Sequence, residues 1–185
     1  MTSHPKPRRP DVDAIDLIGG IEIRPLEVVA YDPEWPRVFD AHRERIDKAL
    51  RGTAVGIEHI GSTSVPGLAA KPIIDIVIAV DDITAEEDFL PQLLAAGYEL
   101  RVREPGHRLV RTPARDVHVH ILGKTDPALD RYLVFRNRLR LDADDRALYE
   151  RTKRELMSRG FDDMNAYSDA KTTVVAEILG RAQRK

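Results

Sequence analysis

Gly61-Ser62-Thr63-Ser64 is a run of small and hydroxylated residues, extended by Val65-Pro66-Gly67 and closed by Lys71-Pro72. Glycine lets backbone N–H groups approach an anion, and the hydroxyls can donate to phosphate oxygens. Lys71 adds a positive charge, although an ordinary turn has much the same composition. Asp75 follows inside the apolar run Ile73 to Val80. A carboxylate there is costly unless it is hydrogen-bonded, paired or bound to a metal. In Asp116-Val117-His118-Val119-His120-Ile121, alternation puts Asp116, His118 and His120 on one face. Two histidines two residues apart can share a metal ion or act as an acid/base pair; a solvent-facing edge strand is the alternative.

Other residues are candidates by position. His59 immediately precedes the loop and is read as a phosphate contact or a packed strand end. Arg136 and Arg140 lie one helical turn apart. Tyr149 and Lys153, then Tyr167 and Lys171, repeat an i, i+4 pairing of aromatic ring and cation that can cradle a nucleotide or line an amphipathic surface. His42 sits on a helix stripe and reads as structural, while His107 carries no signal of its own.

These side chains need elements to position them. Asp32-Pro33-Glu34 starts a helix with Trp35, Phe39, His42, Ile46 and Leu50 on one stripe. Ala54–Ile60 is expected as a strand, and Ile73–Val80 as a central strand covered on both faces. Thr84-Ala85-Glu86-Glu87 reads as a capping box before a helix that ends near Gly97. Tyr98–Arg103, His107–Thr112 and Asp116–Leu122 are expected as strands, the first two joined by a turn at Glu104-Pro105-Gly106. From Asp126-Pro127 the chain is expected to be helical, over Pro127–Leu139, Asp144–Ser158 and Tyr167–Ala182. The class is α+β or α/β with a mixed sheet.

The chain has 185 residues, 42% hydrophobic and 32% charged, enough for one folded domain. Cysteine is absent, which excludes disulfides, thiol nucleophiles and cysteine-ligated metals. With 29 basic and 31 acidic residues, an extended nucleic-acid surface is not expected. No run suits a membrane span, and the first residues have prolines where a signal peptide needs an apolar stretch, so a cytoplasmic location is expected. Residues 1–20 are read as a flexible arm and 21–185 as a single domain. The oligomeric state is not legible.

Tyr31-Asp32-Pro33-Glu34-Trp35, the long stretch from Glu58 through Gly61-Ser62 to Asp75, His118-Val119-His120 and the two Tyr-x3-Lys pairs together resemble the GrpB-like family. The resemblance runs from about Arg24 to the end. It implies the fold of the DNA polymerase β-type nucleotidyltransferases: a mixed sheet flanked by helices, with a C-terminal helical segment. It also implies that the Gly61-Ser62 turn holds the nucleotide's phosphates; Thr63 is read as joining it, with His59, Arg136, Lys153, Tyr167 and Lys171 as candidates around the nucleotide. Asp75 matches the first metal-binding carboxylate. Val77 stands where the second is expected, and His118 and His120 stand where a third would come from a later strand. Asn137 replaces an expected Asp after Arg136. One Asp with two His suits a single magnesium, manganese or transition-metal ion rather than a two-metal centre. The expected function is binding of a nucleoside triphosphate or other phosphorylated small ligand with that metal. Nucleotidyl transfer to a small molecule or protein would use Asp75 and Lys71 as catalytic groups. A non-catalytic or chaperone-like module, or another enzyme on the same Asp-His-His site, are the alternatives.

Overall fold

The computed structural model describes residues 7–20, 27–52, 54, 56–159 and 170–184. Among them, six strands form one mixed sheet: β1 (Asp16–Leu17), β2 (Gly56–Ile60), β3 (Ile74–Val80), β4 (Glu99–Glu104), β5 (His107–Arg111) and β6 (Val117–Gly123). The spatial order is β1-β4-β5-β6-β3-β2. β3 and β6 run parallel, and the other neighbouring pairs are antiparallel. The helices are α1 (Trp35–Leu50), α2 (Leu90–Ala95), α3 (Pro127–Leu141), α4 (Ala143–Arg159) and α5 (Thr172–Ala182). The fold is α+β, as expected. No helix among the described residues is long and apolar enough to cross a membrane.

Strand alternation divides the sheet into two unlike faces. Ile74, Ile76, Ile78 and Val80 of β3 point with Val117, Val119 and Ile121 of β6 toward α1 and α2, forming the main core with Trp35, Ile46, Phe89 and Leu93. The opposite face carries Asp75 and Val77 beside His118 and His120. Only part of that face is apolar: Ile60, Val77 and Leu122 pack against Leu129, Tyr132 and Leu133 of α3. A separate cluster joins Val65 and Leu68 to Leu139, Tyr149, Val174 and Ile178. The chain after the Gly-Ser turn is thereby bound to the helical layer made by α3, α4 and α5.

Some elements differ from expectation for identifiable reasons. Thr84 does not form a capping box: its hydroxyl donates to Asp82, and Glu87, the residue three on, accepts from Arg9 instead. Glu86–Asp88 is a 3-10 turn and α2 is only six residues long. α1 begins at Trp35, with Asp32 accepting from the Glu34 N–H just before it. Within the segment read as an arm, Asp11 binds Arg108 and the Gly106 N–H, and β1 pairs with β4. Arg108 is 2% exposed, so Asp11 and Glu86 supply the partners that its burial requires.

Asp145 plays the same part in the helical layer. It is almost fully buried and accepts from Arg138 of α3 and Arg181 of α5. Burial pulls its pKa up, but the two guanidiniums outweigh that and hold it below the ordinary carboxylate value. Because the folded pKa is lowered, this contribution is present above the unfolded pKa and is lost as pH falls through the folded one. Asp145→Asn is expected to lower the thermal midpoint at pH 7 by roughly 5 °C. The gap from the parent should narrow below pH 4, as read by circular dichroism melts.

Candidate functional site

The register places Asp75 opposite His118, and Val77 opposite His120, across the parallel β3–β6 pair. Asp75 Oδ1 is 3.7 Å from His118 Nδ1 and 3.7 Å from His120 Nε2. The three expected metal ligands therefore face one another. Asp75 Oδ2 points the other way, against Gly61. A Cβ built at Gly61 would lie 2.6 Å from that oxygen, and Gly61 has φ +69°. Glycine is required twice over, by the left-handed backbone and by the close approach of the carboxylate. Asp75 keeps 31% of its side chain exposed. Burial raises its pKa, but His120, His118 and Lys171 outweigh that and hold it ionised below the ordinary range.

Lysines surround the same spot. Lys153, 3% exposed, donates to Ser62 Oγ at 3.1 Å and to the Ala69 carbonyl. Its ammonium lies 4.9 Å from the centre of the Tyr149 ring, the i, i+4 pairing expected from the sequence. The pair is turned inward onto the loop: the Tyr149 hydroxyl bonds Ser62, and burial pushes its pKa up to about 12. Lys153 is pulled down to about 7 by burial and by Lys171. Lys71 is also brought to about 7, by burial and then Lys171, with Asp75 opposing. Burial lowers Lys171 too, against the pull of Asp75. Each cation disfavours the others, so an incoming polyanion relieves repulsion as well as making bonds. Both lysines near 7 are protonated below that pH and lose charge above it. Phosphate-ligand affinity is therefore expected to fall between pH 6 and 8.5, as read by calorimetry with sulfate or pyrophosphate.

Not every candidate reaches Asp75. His59 lies on the other face of β2, stacked on Phe39 at 4.8 Å and 3.1 Å from Thr63 Oγ1. Burial depresses its pKa to about 4, so it is a neutral packing residue. Thr63, 1% exposed, donates to the Ile73 carbonyl and braces the turn from beneath. Arg136 binds Glu58 and the His59 carbonyl at 2.7 and 2.9 Å, on the wall of the loop. Arg140, one turn on, holds the Ser64 carbonyl with two N–H groups. These arginines clamp the loop to α3. Tyr167 lies outside the described residues.

Two further residues join the site without a sequence signal of their own. His107 Nε2 is 3.1 Å from His120 Nδ1, with the rings stacked, and His107 Nδ1 is 2.5 Å from Glu104 Oε1. Glu104 and His107 flank Pro105-Gly106, so their proximity follows from the tight turn. The contact with His120 depends on the β5–β6 register, in which His107 is opposite Leu122 and diagonal to His120. Burial and the neighbouring His120 keep the His107 pKa low, despite Glu104.

One carboxylate and two imidazoles are a donor set for a single divalent ion of borderline softness. Spacings of 3.7 Å are slightly wider than the roughly 3.4 Å expected between tetrahedral ligands at about 2.1 Å. Among the described residues no three His, Asp or Glu side chains form a closed metal cluster as they stand.

A family model described as GrpB protein matches residues 25–181. The chain belongs to the GrpB family. A UPF0157 protein of Streptomyces coelicolor is 59% identical over 182 residues, covering 98% of this chain and 97% of the relative. The crystal structure of a conserved GrpB protein from Enterococcus faecalis matches with TM-score 0.75 and 32% identity, over 84% of this chain and 96% of that one. The family thus accounts for the fold containing the site. A remote likeness, TM-score 0.48 at 19% identity, runs to the structure of Cid1 in complex with its short product ApU, over 68% of this chain and 42% of that one.

Proposed function

We propose that the groups around Asp75 bind the phosphates of a nucleoside triphosphate or similar phosphorylated small ligand together with one divalent cation, and that the protein transfers a nucleotidyl group from it. The observation that carries this reading is the convergence of Asp75, His118 and His120 beneath a glycine turn approached by Lys71, Lys153 and Lys171. Asp75 and the two imidazoles are the residues that would hold the cation. When bound, such an ion neutralises phosphate charge and polarises the phosphoryl and acceptor oxygens.

The chain's own groups do the rest. Gly61 allows close approach at the turn, and Ser62 is held in place by Lys153. Lys71 and Lys171 balance charge on the phosphate oxygens as the acceptor oxygen, giving its proton to solvent, bonds to the α-phosphorus and the α–β bridging bond breaks to release pyrophosphate. Arg136 and Arg140 hold the loop rigid, so the phosphate is oriented before reaction. The partner is a small phosphorylated molecule rather than an extended nucleic acid, in keeping with the net charge of -2.

Val77 favours a second reading, in which binding persists without transfer. It is 2% exposed and packed with Ile60 and Leu122, so the position of a second carboxylate is apolar. Calorimetry with ATP and Mn2+ tests binding, and incubation with α-labelled nucleoside triphosphates tests transfer. Metal-dependent binding with label moved to an acceptor supports the enzyme; binding without transfer supports the second reading. No binding in either metal-free or Mn2+ buffer contradicts both.

A further inference from the structure

We infer that Ser62 is a nucleophile, activated by Lys153, that takes the nucleotidyl group of a nucleoside triphosphate onto its own hydroxyl oxygen. The inference rests on the phosphate-binding reading of the turn, and adds to it that the chain is itself the first acceptor. The three hydroxyls of the turn have different surroundings. Thr63 donates to the Ile73 carbonyl and Ser64 to the Gly61 carbonyl, at 3.1 and 2.6 Å, and both residues are buried. Ser62 is half-buried, and its Oγ meets side chains instead: Lys153 Nζ at 3.1 Å and the Tyr149 hydroxyl. A serine hydroxyl within hydrogen-bond reach of a base is the arrangement that activates this weak oxygen nucleophile.

Lys153 is placed to be that base. It is 3% exposed, and its described partners are the Ala69 carbonyl, Ser62 Oγ and the Tyr149 ring, none of them a carboxylate. Burial without a carboxylate partner favours the neutral amine over the ammonium. Burial and then Lys171 bring its pKa to about 7 against the pull of Glu150, so both forms are present near pH 7. The neutral amine keeps an N–H for the Ala69 carbonyl and has a lone pair for the Ser62 proton. Lys171 acts on Lys71, Lys153 and Asp75 alike, so the cations that would hold phosphate stand beside this base. In the step, Ser62 Oγ bonds to the α-phosphorus and gives its proton to Lys153 Nζ. The α–β bridging bond breaks, and pyrophosphate leaves with the electron pair.

The test incubates the protein with ATP labelled at the α-phosphate, with and without Mn2+, quenches in acid and maps the label by tandem mass spectrometry. ATP binding is measured in parallel by calorimetry. The wild-type chain is expected to carry an acid-stable label on Ser62. Ser62→Ala is expected to remove the label while lowering ATP affinity no more than about fivefold, the loss of one hydrogen bond. Lys153→Arg keeps a cation against the turn but cannot act as a base, and is expected to slow labelling at saturating ATP about 100-fold or more. Lys153→Met, which removes the charge as well, is expected to do the same. The mapping on the wild-type chain needs no variant, so it decides the nucleophile whether or not these fold. ATP binding without label on the chain, an acid-labile label on a lysine or histidine nitrogen, or undiminished labelling in Lys153→Arg overturns the inference and leaves the binding reading standing. A wild-type chain that binds no ATP overturns both.

Discussion

Asp75→Asn is expected to abolish metal-dependent nucleotide binding while leaving the fold intact. The side chain keeps its shape but loses the charge that opposes a cation. A metal–ligand contribution of several kcal/mol corresponds to an affinity loss on the order of 1,000-fold. Stability at pH 7 should fall only modestly: the ionised carboxylate, whose pKa His120, His118 and Lys171 hold down in the fold, contributes some stability that the amide gives up. Calorimetry with ATP and Mn2+, set beside a thermal melt of the ligand-free protein, separates the two effects. A variant that binds as tightly as the parent sinks the assignment, and one that fails to fold would make Asp75 a structural carboxylate.

Gly61→Ala carries the second large effect. The added methyl group meets Asp75 Oδ2 at 2.6 Å and must also adopt φ +69°, which costs an L-residue about 1–2 kcal/mol. Either the turn or the carboxylate must move. Misplacement on that scale is expected to weaken nucleotide binding on the order of 100-fold. It should also lower the thermal midpoint by several degrees, more than Asp75→Asn does. Gly67→Ala is the control: it too has positive φ, +77°, but its added Cβ meets nothing within 4 Å. Gly67→Ala should share the stability loss and retain binding. Equal binding losses in the two variants would show that backbone strain, not contact with Asp75, explains the glycine.

The residues that carry chemistry were legible where local pattern decides orientation. Alternation alone puts His118 and His120 on one face, and the apolar context marks Asp75 as costly. Their convergence was not legible, because it depends on the parallel pairing of β3 and β6, strands more than 40 positions apart. Register also explains His59. It adjoins the loop in sequence, but Ile60 is the β2 residue opposite Asp75, and a one-residue offset turns His59 to the other face. Lys153 was marked by its spacing from Tyr149, but only the docking of α4 shows that its target is Ser62. Glu104 and His107 were missed because a diagonal contact across β5 and β6 leaves no trace in either strand.

Electron paramagnetic resonance of Mn2+ with ATP, resolved for 14N and 31P couplings, tests the shared site most directly. The account predicts that one bound ion shows imidazole nitrogen and phosphate phosphorus couplings together, both lost in Asp75→Asn. Phosphorus coupling without nitrogen, unaltered by Asp75→Asn, would place the nucleotide and its metal elsewhere on the protein and contradict the account.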